Sequence, residues 1–69
     1  MKIKLNGEEK DIAGGLNIAG LLSALNLKIG AVAVERNGEI VRRPDYESAA
    51  LKENDIVEIV HLVGGGQVV

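Results

Sequence analysis

The chain has 69 residues, of which 26% are charged, and its formal net charge at pH 7 is −2. It contains no Cys, Phe or Trp, one Tyr and one His. This length allows one small domain, which must be stabilised mainly by aliphatic packing, and the lack of thiols excludes a cysteine nucleophile and a thiolate metal site. The acidic balance and the scarcity of aromatic rings argue against nucleic-acid binding.

Membrane and export signals are also missing from the sequence pattern. No apolar stretch approaches the roughly 18 to 20 residues that span a bilayer. Residues 1–25 lack the charged head, apolar run and small-residue cleavage site of an export signal. We therefore expect a cytoplasmic protein that associates with neither nucleic acid nor a membrane.

The start of the chain predicts a β-hairpin. Apolar residues alternate with lysines over residues 2–5, and Asn6-Gly7 follows where a two-residue turn would lie. Both turn residues tolerate the positive φ that a type I′ turn requires. The second arm, residues 8–12, is mostly charged, which is typical of an edge strand protected against pairing with neighbours.

The pattern changes to helical spacing after Asn17, a plausible N-cap. Apolar residues then recur at i, i+3, i+4 and i+7, namely Ile18, Leu21, Leu22 and Leu25. This spacing predicts a helix over residues 18–26 whose apolar face covers the sheet. Gly20 costs about 1 kcal/mol relative to Ala inside a helix, so it indicates either reduced rigidity or a close contact at that position.

A second hairpin is predicted from a second Asn-Gly pair. A strand through residue 34 is followed by an Asn37-Gly38 turn and a short return strand over residues 39–41. The chain beyond it predicts a turn or a short 3₁₀ helix, with Tyr46 and Leu51 as packing points.

The last strand, from Ile56 to about Val63, is apolar on both faces, as is usual for a central strand. One face carries Val57, Ile59 and Val63, and the other carries Ile56, Val60 and Leu62. The order ββαββ, a short helical turn and a final β predicts an α+β fold, in which a single helix covers one face of a mixed sheet. Apolar residues on the uncovered face, with Val60 and Leu62 as candidates, would form a patch suited to a protein partner.

This central strand runs directly into Gly64, Gly65 and Gly66. The arrangement resembles the β-grasp, or ubiquitin-like, fold. It is most similar to the ThiS family of sulfur carriers of thiamine (thiazole) biosynthesis, and less closely similar to MoaD, the small subunit of molybdopterin synthase. The segments that carry the resemblance are LNG at 5–7, NIAGLLSALNL at 17–27, VAVERNGEIVRR at 32–43 and NDIVEIVHLVGGG at 54–66.

The resemblance implies a β-grasp domain over residues 1–63 and a flexible glycine tail with a C-terminal extension over residues 64–69. It also implies a role for each candidate site residue, none of them catalytic. Gly66 would carry the reactive carboxylate and later the thiocarboxylate. Gly64 and Gly65 would thread into the partner enzymes, whereas Val60, His61 and Leu62 would form the partner-binding surface.

The partners implied by the resemblance are an E1-like adenylyltransferase of the ThiF type, a sulfur donor protein and a thiazole synthase of the ThiG type. ATP and Mg would be used by the activating partner, and the chain itself would bind no cofactor or metal. One feature departs from the family pattern, because Gln67, Val68 and Val69 follow Gly66. These residues would have to be removed before Gly66 could supply a free carboxylate.

Three other interpretations of the tail remain open. A molybdopterin-type carrier or a ubiquitin-like modifier would share the same tail chemistry with a different acceptor. A plain β-grasp interaction module would keep residues 67–69 and use the glycines as a spacer. His61 has no Cys or second His to help it hold a metal, so it is expected to be a contact residue rather than a ligand.

Overall fold

One α-helix and one mixed sheet dominate the computed structural model, which describes residues 1–63 and 67–68. The strands are β1 (Lys2–Leu5), β2 (Glu8–Asp11), β3 (Val32–Arg36), β4 (Glu39–Val41), β5 (Ile56–Val63) and β6 (Gln67–Val68). The helix α1 spans Ile18–Ala24, and 3₁₀ turns occur at Ile29–Ala31 and Arg43–Asp45.

The strand order across the sheet is β2-β1-β5-β3-β4, with β6 paired to β5. β1 and β5 run parallel, whereas the other neighbours are antiparallel. The predicted mixed sheet with the last long strand in its centre is therefore confirmed. Both hairpins are confirmed as well.

The core lies between α1 and one face of the sheet. On the helix, Ile18, Leu21 and Leu22 are fully buried, as their spacing predicted. The other buried apolar residues of this cluster are Ile3, Val32, Val34, Tyr46, Leu51, Val57 and Ile59. The predicted packing points Tyr46 and Leu51 are thus confirmed.

The N-terminus of α1 is capped from two directions. Asn17 Oδ1 accepts a hydrogen bond from the Gly20 N–H at 2.7 Å, which confirms the predicted N-cap. A Cβ on Gly20 would lie 2.9 Å from Leu16 Cδ2 and 3.1 Å from Asn17 Oδ1. The glycine therefore marks a close contact, one of the two alternatives that the sequence left open.

The chain after the second hairpin completes the cap. The Ile18 N–H donates to the Ala49 carbonyl at 3.0 Å, and the Ala19 N–H donates to the Tyr46 carbonyl at 3.0 Å. These are first-turn donors that have no partner within the helix itself. The segment from Tyr46 to Ala49 thus stabilises the start of α1.

The predicted C-terminal end of the helix, residue 26, is wrong by two residues. The helix ends at Ala24, and Asn26 has a φ of 59°. The Leu27 N–H then donates to the Leu22 carbonyl at 2.9 Å. A left-handed residue just beyond the last turn, with a bond back to a free carbonyl, is a common way to terminate a helix.

Both Asn-Gly pairs adopt the predicted turn conformation. The φ angles are 50° and 85° at Asn6 and Gly7, and 51° and 84° at Asn37 and Gly38. Positive φ at both central residues defines a type I′ turn, in which Asn and Gly are strongly preferred. The local sequence alone therefore determines both turns.

The two asparagines also hold the central strand from either side. The Ile59 N–H donates to Asn6 Oδ1 at 2.8 Å, and the Ile56 N–H donates to Asn37 Oδ1 at 2.8 Å. The second of these side chains also donates from its Nδ2 to Asp55 Oδ1 at 3.0 Å. Each turn thus satisfies a β5 backbone donor at a position where a neighbouring strand gives way to a turn.

We expect Asn6→Gly to lower the free energy of unfolding by about 1 to 3 kcal/mol, the usual cost of leaving a buried donor unpaired. Glycine keeps the positive φ but removes the acceptor for the Ile59 N–H, so the change isolates the hydrogen bond. Urea denaturation measures the effect. Asn6→Asp is the matched control, since its carboxylate keeps an acceptor oxygen and should retain most of the stability; equal losses in both variants would contradict this role.

Candidate functional site

The sheet face opposite α1 carries a row of apolar residues. Along β5, Ile56, Val60 and Leu62 alternate with the buried residues of the core and so point to this uncovered face. Ile56 is 51% exposed and Ile40, on β4, is 76% exposed. Large aliphatic side chains left in water on one side of a sheet are typical of a surface that binds another protein.

The three predicted partner-binding residues do not share one face. Val60 and Leu62 are half-buried and lie on the uncovered face. His61 is exposed but alternates with them, so it belongs to the opposite side of β5, near the end of the strand. A partner that covers Val60 and Leu62 would reach His61 only around the end of the sheet.

Sequence reasoning missed Ile40 as part of this surface. In the structure Ile40 pairs with Glu35 across the β3–β4 ladder, and Glu35 pairs with Glu58 on β5, which places Ile40 on the same uncovered face as Val60. The signal was available, because a two-residue turn at Asn37-Gly38 sets this register directly. Strand β4 is only three residues long, however, and its pattern alone does not tell which of its faces is buried.

The predicted carrier residues Gly64, Gly65 and Gly66 lie outside the described residues. On either side of them, Val63 pairs with Gln67 and Leu62 pairs with Val68 in antiparallel register. The backbone that follows the glycines is therefore hydrogen-bonded to the end of the central strand. The predicted domain boundary at residue 63 and the roles of the three glycines stay predictions.

Within residues 1–63 and 67–68, no group of three or more His, Asp or Glu side chains is arranged to hold a metal ion. Over the same described residues, no helix has the length and apolar character needed to cross a bilayer. The described residues of the site form an apolar contact surface, and in the sequence Gly64, Gly65 and Gly66 follow its central strand directly.

Comparison with known proteins identifies the family to which the chain belongs. The model of the ThiS family matches residues 3–66, which is nearly the whole chain and ends at the last of the three glycines. This chain belongs to the ThiS family. The membership expected from the sequence is confirmed.

Individual ThiS family members agree with this assignment. The sulfur carrier protein ThiS of Bacillus subtilis is 40% identical over 68 residues, covering 93% of this chain and 98% of that protein. The crystal structure of the thiamine biosynthesis protein (ThiS) from Geobacter metallireducens superposes with a TM-score of 0.83 at 36% identity, covering 96% of this chain and 100% of that one. The predicted β-grasp fold is confirmed by this match.

Two longer relatives contain a region similar to this ThiS family member. The thiazole synthase of Magnetococcus marinus is 46% identical over 67 residues, and that of Paramagnetospirillum magneticum is 41% identical over 66 residues. This chain spans only 21% and 20% of their respective lengths. In both proteins a ThiS-like region is therefore part of a chain named for thiazole synthesis.

Proposed function

We propose that this chain is a sulfur carrier for the thiazole step of thiamine biosynthesis, a protein cosubstrate without catalytic activity of its own. The observation that carries the proposal is the family match, which extends through the central strand and ends at Gly66. The Bacillus relative is a sulfur carrier protein and the Geobacter relative is a thiamine biosynthesis protein, which supports the pathway. The two thiazole synthases support a thiazole synthase as the enzyme that accepts the sulfur.

The chemistry proposed for the tail begins at a free Gly66 carboxylate. An E1-like enzyme of the ThiF type uses Mg-ATP to join this carboxylate to AMP, because a carboxylate by itself is a poor electrophile. Pyrophosphate leaves in this step. Sulfide-level sulfur from a donor protein then attacks the carbonyl carbon and displaces AMP, which leaves a thiocarboxylate with no change of oxidation state. The thiocarboxylate sulfur is the nucleophile passed to the thiazole on a ThiG-type synthase.

Glycines suit this task for a steric reason. Gly64 and Gly65 have no Cβ, so they can extend through a narrow channel at positive or negative φ. Ordering a chain segment costs about 1 to 2 kcal/mol per residue, so affinity has to come from another part of the protein. In the proposal this affinity comes from the uncovered face, where Val60 and Leu62 contact the partner. His61 contacts the edge of the partner around the end of β5.

The residues after Gly66 provide the sharpest test. Mass spectrometry of the protein isolated from its native cell should show a chain that ends at Gly66, with one carboxylate oxygen replaced by sulfur. If every active preparation instead retains Val69, the proposed carrier chemistry is rejected. Transfer assays with purified synthases then decide between a thiazole acceptor and a molybdopterin acceptor.

A second function is favoured by one observation. Gln67 and Val68 pair with the end of β5, so residues beyond the glycines have a structural place in the fold. This pairing favours a β-grasp interaction module that keeps its C-terminal residues. The same mass spectrum discriminates between the two functions, because an interaction module would retain residues 67–69 and carry no thiocarboxylate sulfur.

The docking role predicts a specific loss of binding. We expect Leu62→Ser to weaken binding to the activating enzyme about tenfold, the effect of losing one of the few contacts that dominate an interface. Isothermal titration calorimetry measures the change. Ile29→Ser is the matched control, because Ile29 is a large aliphatic residue that is 42% exposed and precedes β3, outside the sheet. Equal affinities for Leu62→Ser and the unchanged protein would contradict a docking role for this face.

A further inference from the structure

Two carboxylates face each other on the uncovered face. Glu35 on β3 pairs with Glu58 on β5 in the antiparallel register. Side chains directly opposite in such a pair have Cβ atoms about 4.5 to 5.5 Å apart, and like charges at this spacing are destabilising. The register thus sets two acidic residues opposite each other on this face.

Among residues 1–63 and 67–68, no cationic residue lies directly opposite either carboxylate in the β3–β4 and β3–β5 ladders. The outward positions of β3, β4 and β5 hold, besides the two glutamates, only Ala33, Ile40, Ile56, Val60 and Leu62. The lysines of this face lie on β1, where Lys4 pairs with Glu9 and stands beside Ile56. This half of the face is therefore apolar and negatively charged.

The two carboxylates border a shallow depression of about 150 Å³. Its lining consists of Ala33, Val34, Glu35, Ile40, Glu58 and Val60. Most of the wall is aliphatic, and the charged groups belong to the two glutamates. Arginine matches such a site, because its aliphatic stem packs on apolar surface while its guanidinium presents several donors in a fixed plane.

We propose that this depression receives an arginine side chain from the surface of a partner protein. The stem packs between Ile40 and Val60, and the guanidinium donates to the carboxylates of Glu35 and Glu58. Charge-assisted bonds of this kind are shorter and stronger than neutral ones, and the geometry of the fork gives specificity. The inference rests on the proposed function only in taking the partner to dock on this face.

Nuclear magnetic resonance tests the site without a purified partner. A capped Leu-Arg-Leu tripeptide is titrated into the ¹⁵N-labelled protein, with the same peptide carrying citrulline as the uncharged isostere. We expect the arginine peptide to shift the amide resonances of Ala33, Glu35 and Glu58. The shifts should fall at least tenfold in a Glu35→Gln/Glu58→Gln double variant and persist in Glu9→Gln, the control carboxylate on β2.

Three results would overturn the proposal. They are the absence of shifts at these amides, equal shifts with the citrulline peptide, and unchanged shifts in the double variant. A peptide with lysine in place of arginine that shifts these amides equally would overturn the assignment to arginine.

Stability supplies an independent readout. Glu58→Gln should raise the urea midpoint, because it removes one of two opposed like charges. A lowered midpoint would mean that the pair stabilises the fold, and the recognition role would be rejected. The outcomes are separable from those of the proposed function: a chain that binds the arginine peptide but never acquires sulfur leaves this inference standing, and a sulfur carrier that ignores the peptide rejects this inference alone.

Discussion

Replacing Gly65 with Leu should abolish sulfur transfer while leaving the free energy of unfolding unchanged. In the proposed chemistry the tail enters two partner enzymes, so a leucine side chain would add bulk there, and a misplacement of about 1 Å can cost about a hundredfold in rate. The buried core of the described residues consists of positions between Ile3 and Ile59, and the substitution changes none of these residues. Growth without thiamine, in a strain that lacks its own sulfur carrier, measures the loss.

The control for this variant is Gly14→Leu. Gly14 lies in the loop before α1, and a Cβ placed there has no atom within 4 Å. This variant should support growth as well as the unchanged chain does. Both variants are made in a chain that ends at Gly66, so that removal of the last residues does not limit growth. Normal growth of the Gly65→Leu strain would contradict the proposed role of the tail.

Leu22→Ala should lower the free energy of unfolding by about 2 to 5 kcal/mol, the usual cost of such a truncation in a core. Leu22 is fully buried under the sheet. A domain of this size has a total stability of only about 3 to 10 kcal/mol, from about 0.05 to 0.15 kcal/mol per residue, so the expected loss is a large fraction of the total. Urea denaturation followed by circular dichroism measures the change.

Ser23→Ala serves as the matched control for the helix. Ser23 is the next residue along α1 and is exposed, so its replacement removes no core contact. We expect a change within about 0.5 kcal/mol, as for most surface substitutions. A Leu22→Ala midpoint indistinguishable from that of Ser23→Ala would contradict the placement of Leu22 in the core.

Local patterns determined most of the fold of this ThiS family member. The Asn-Gly pairs determined two turns because few other residues accept positive φ at both positions. The spacing from Ile18 to Leu25 determined the buried face of α1, since residues three and four apart lie on one side of a helix. An apolar strand running into Gly64 supported the family resemblance, which the family match then confirmed.

Tertiary structure alone decided how distant residues act together. Asn6 was recognisable as a turn residue, but its bond to Ile59 joins positions far apart in sequence and has no local signal. The same holds for the carbonyls of Tyr46 and Ala49, which cap the first turn of α1. The helix ends early because Asn26 adopts a left-handed conformation, which the spacing of the apolar residues does not predict.

The candidate site divides in the same way. The sequence by itself determined that Val60 and Leu62 share a face and that glycines follow them, because alternation along a strand is a local property. The turn at Asn37-Gly38 sets Ile40 opposite Glu35, but only the pairing of β3 with β5 decided that Glu35 faces Glu58 and that Ile40 joins the same surface as Val60. Register between strands depends on contacts across the whole sheet, so charges that meet across it are defined by the folded structure.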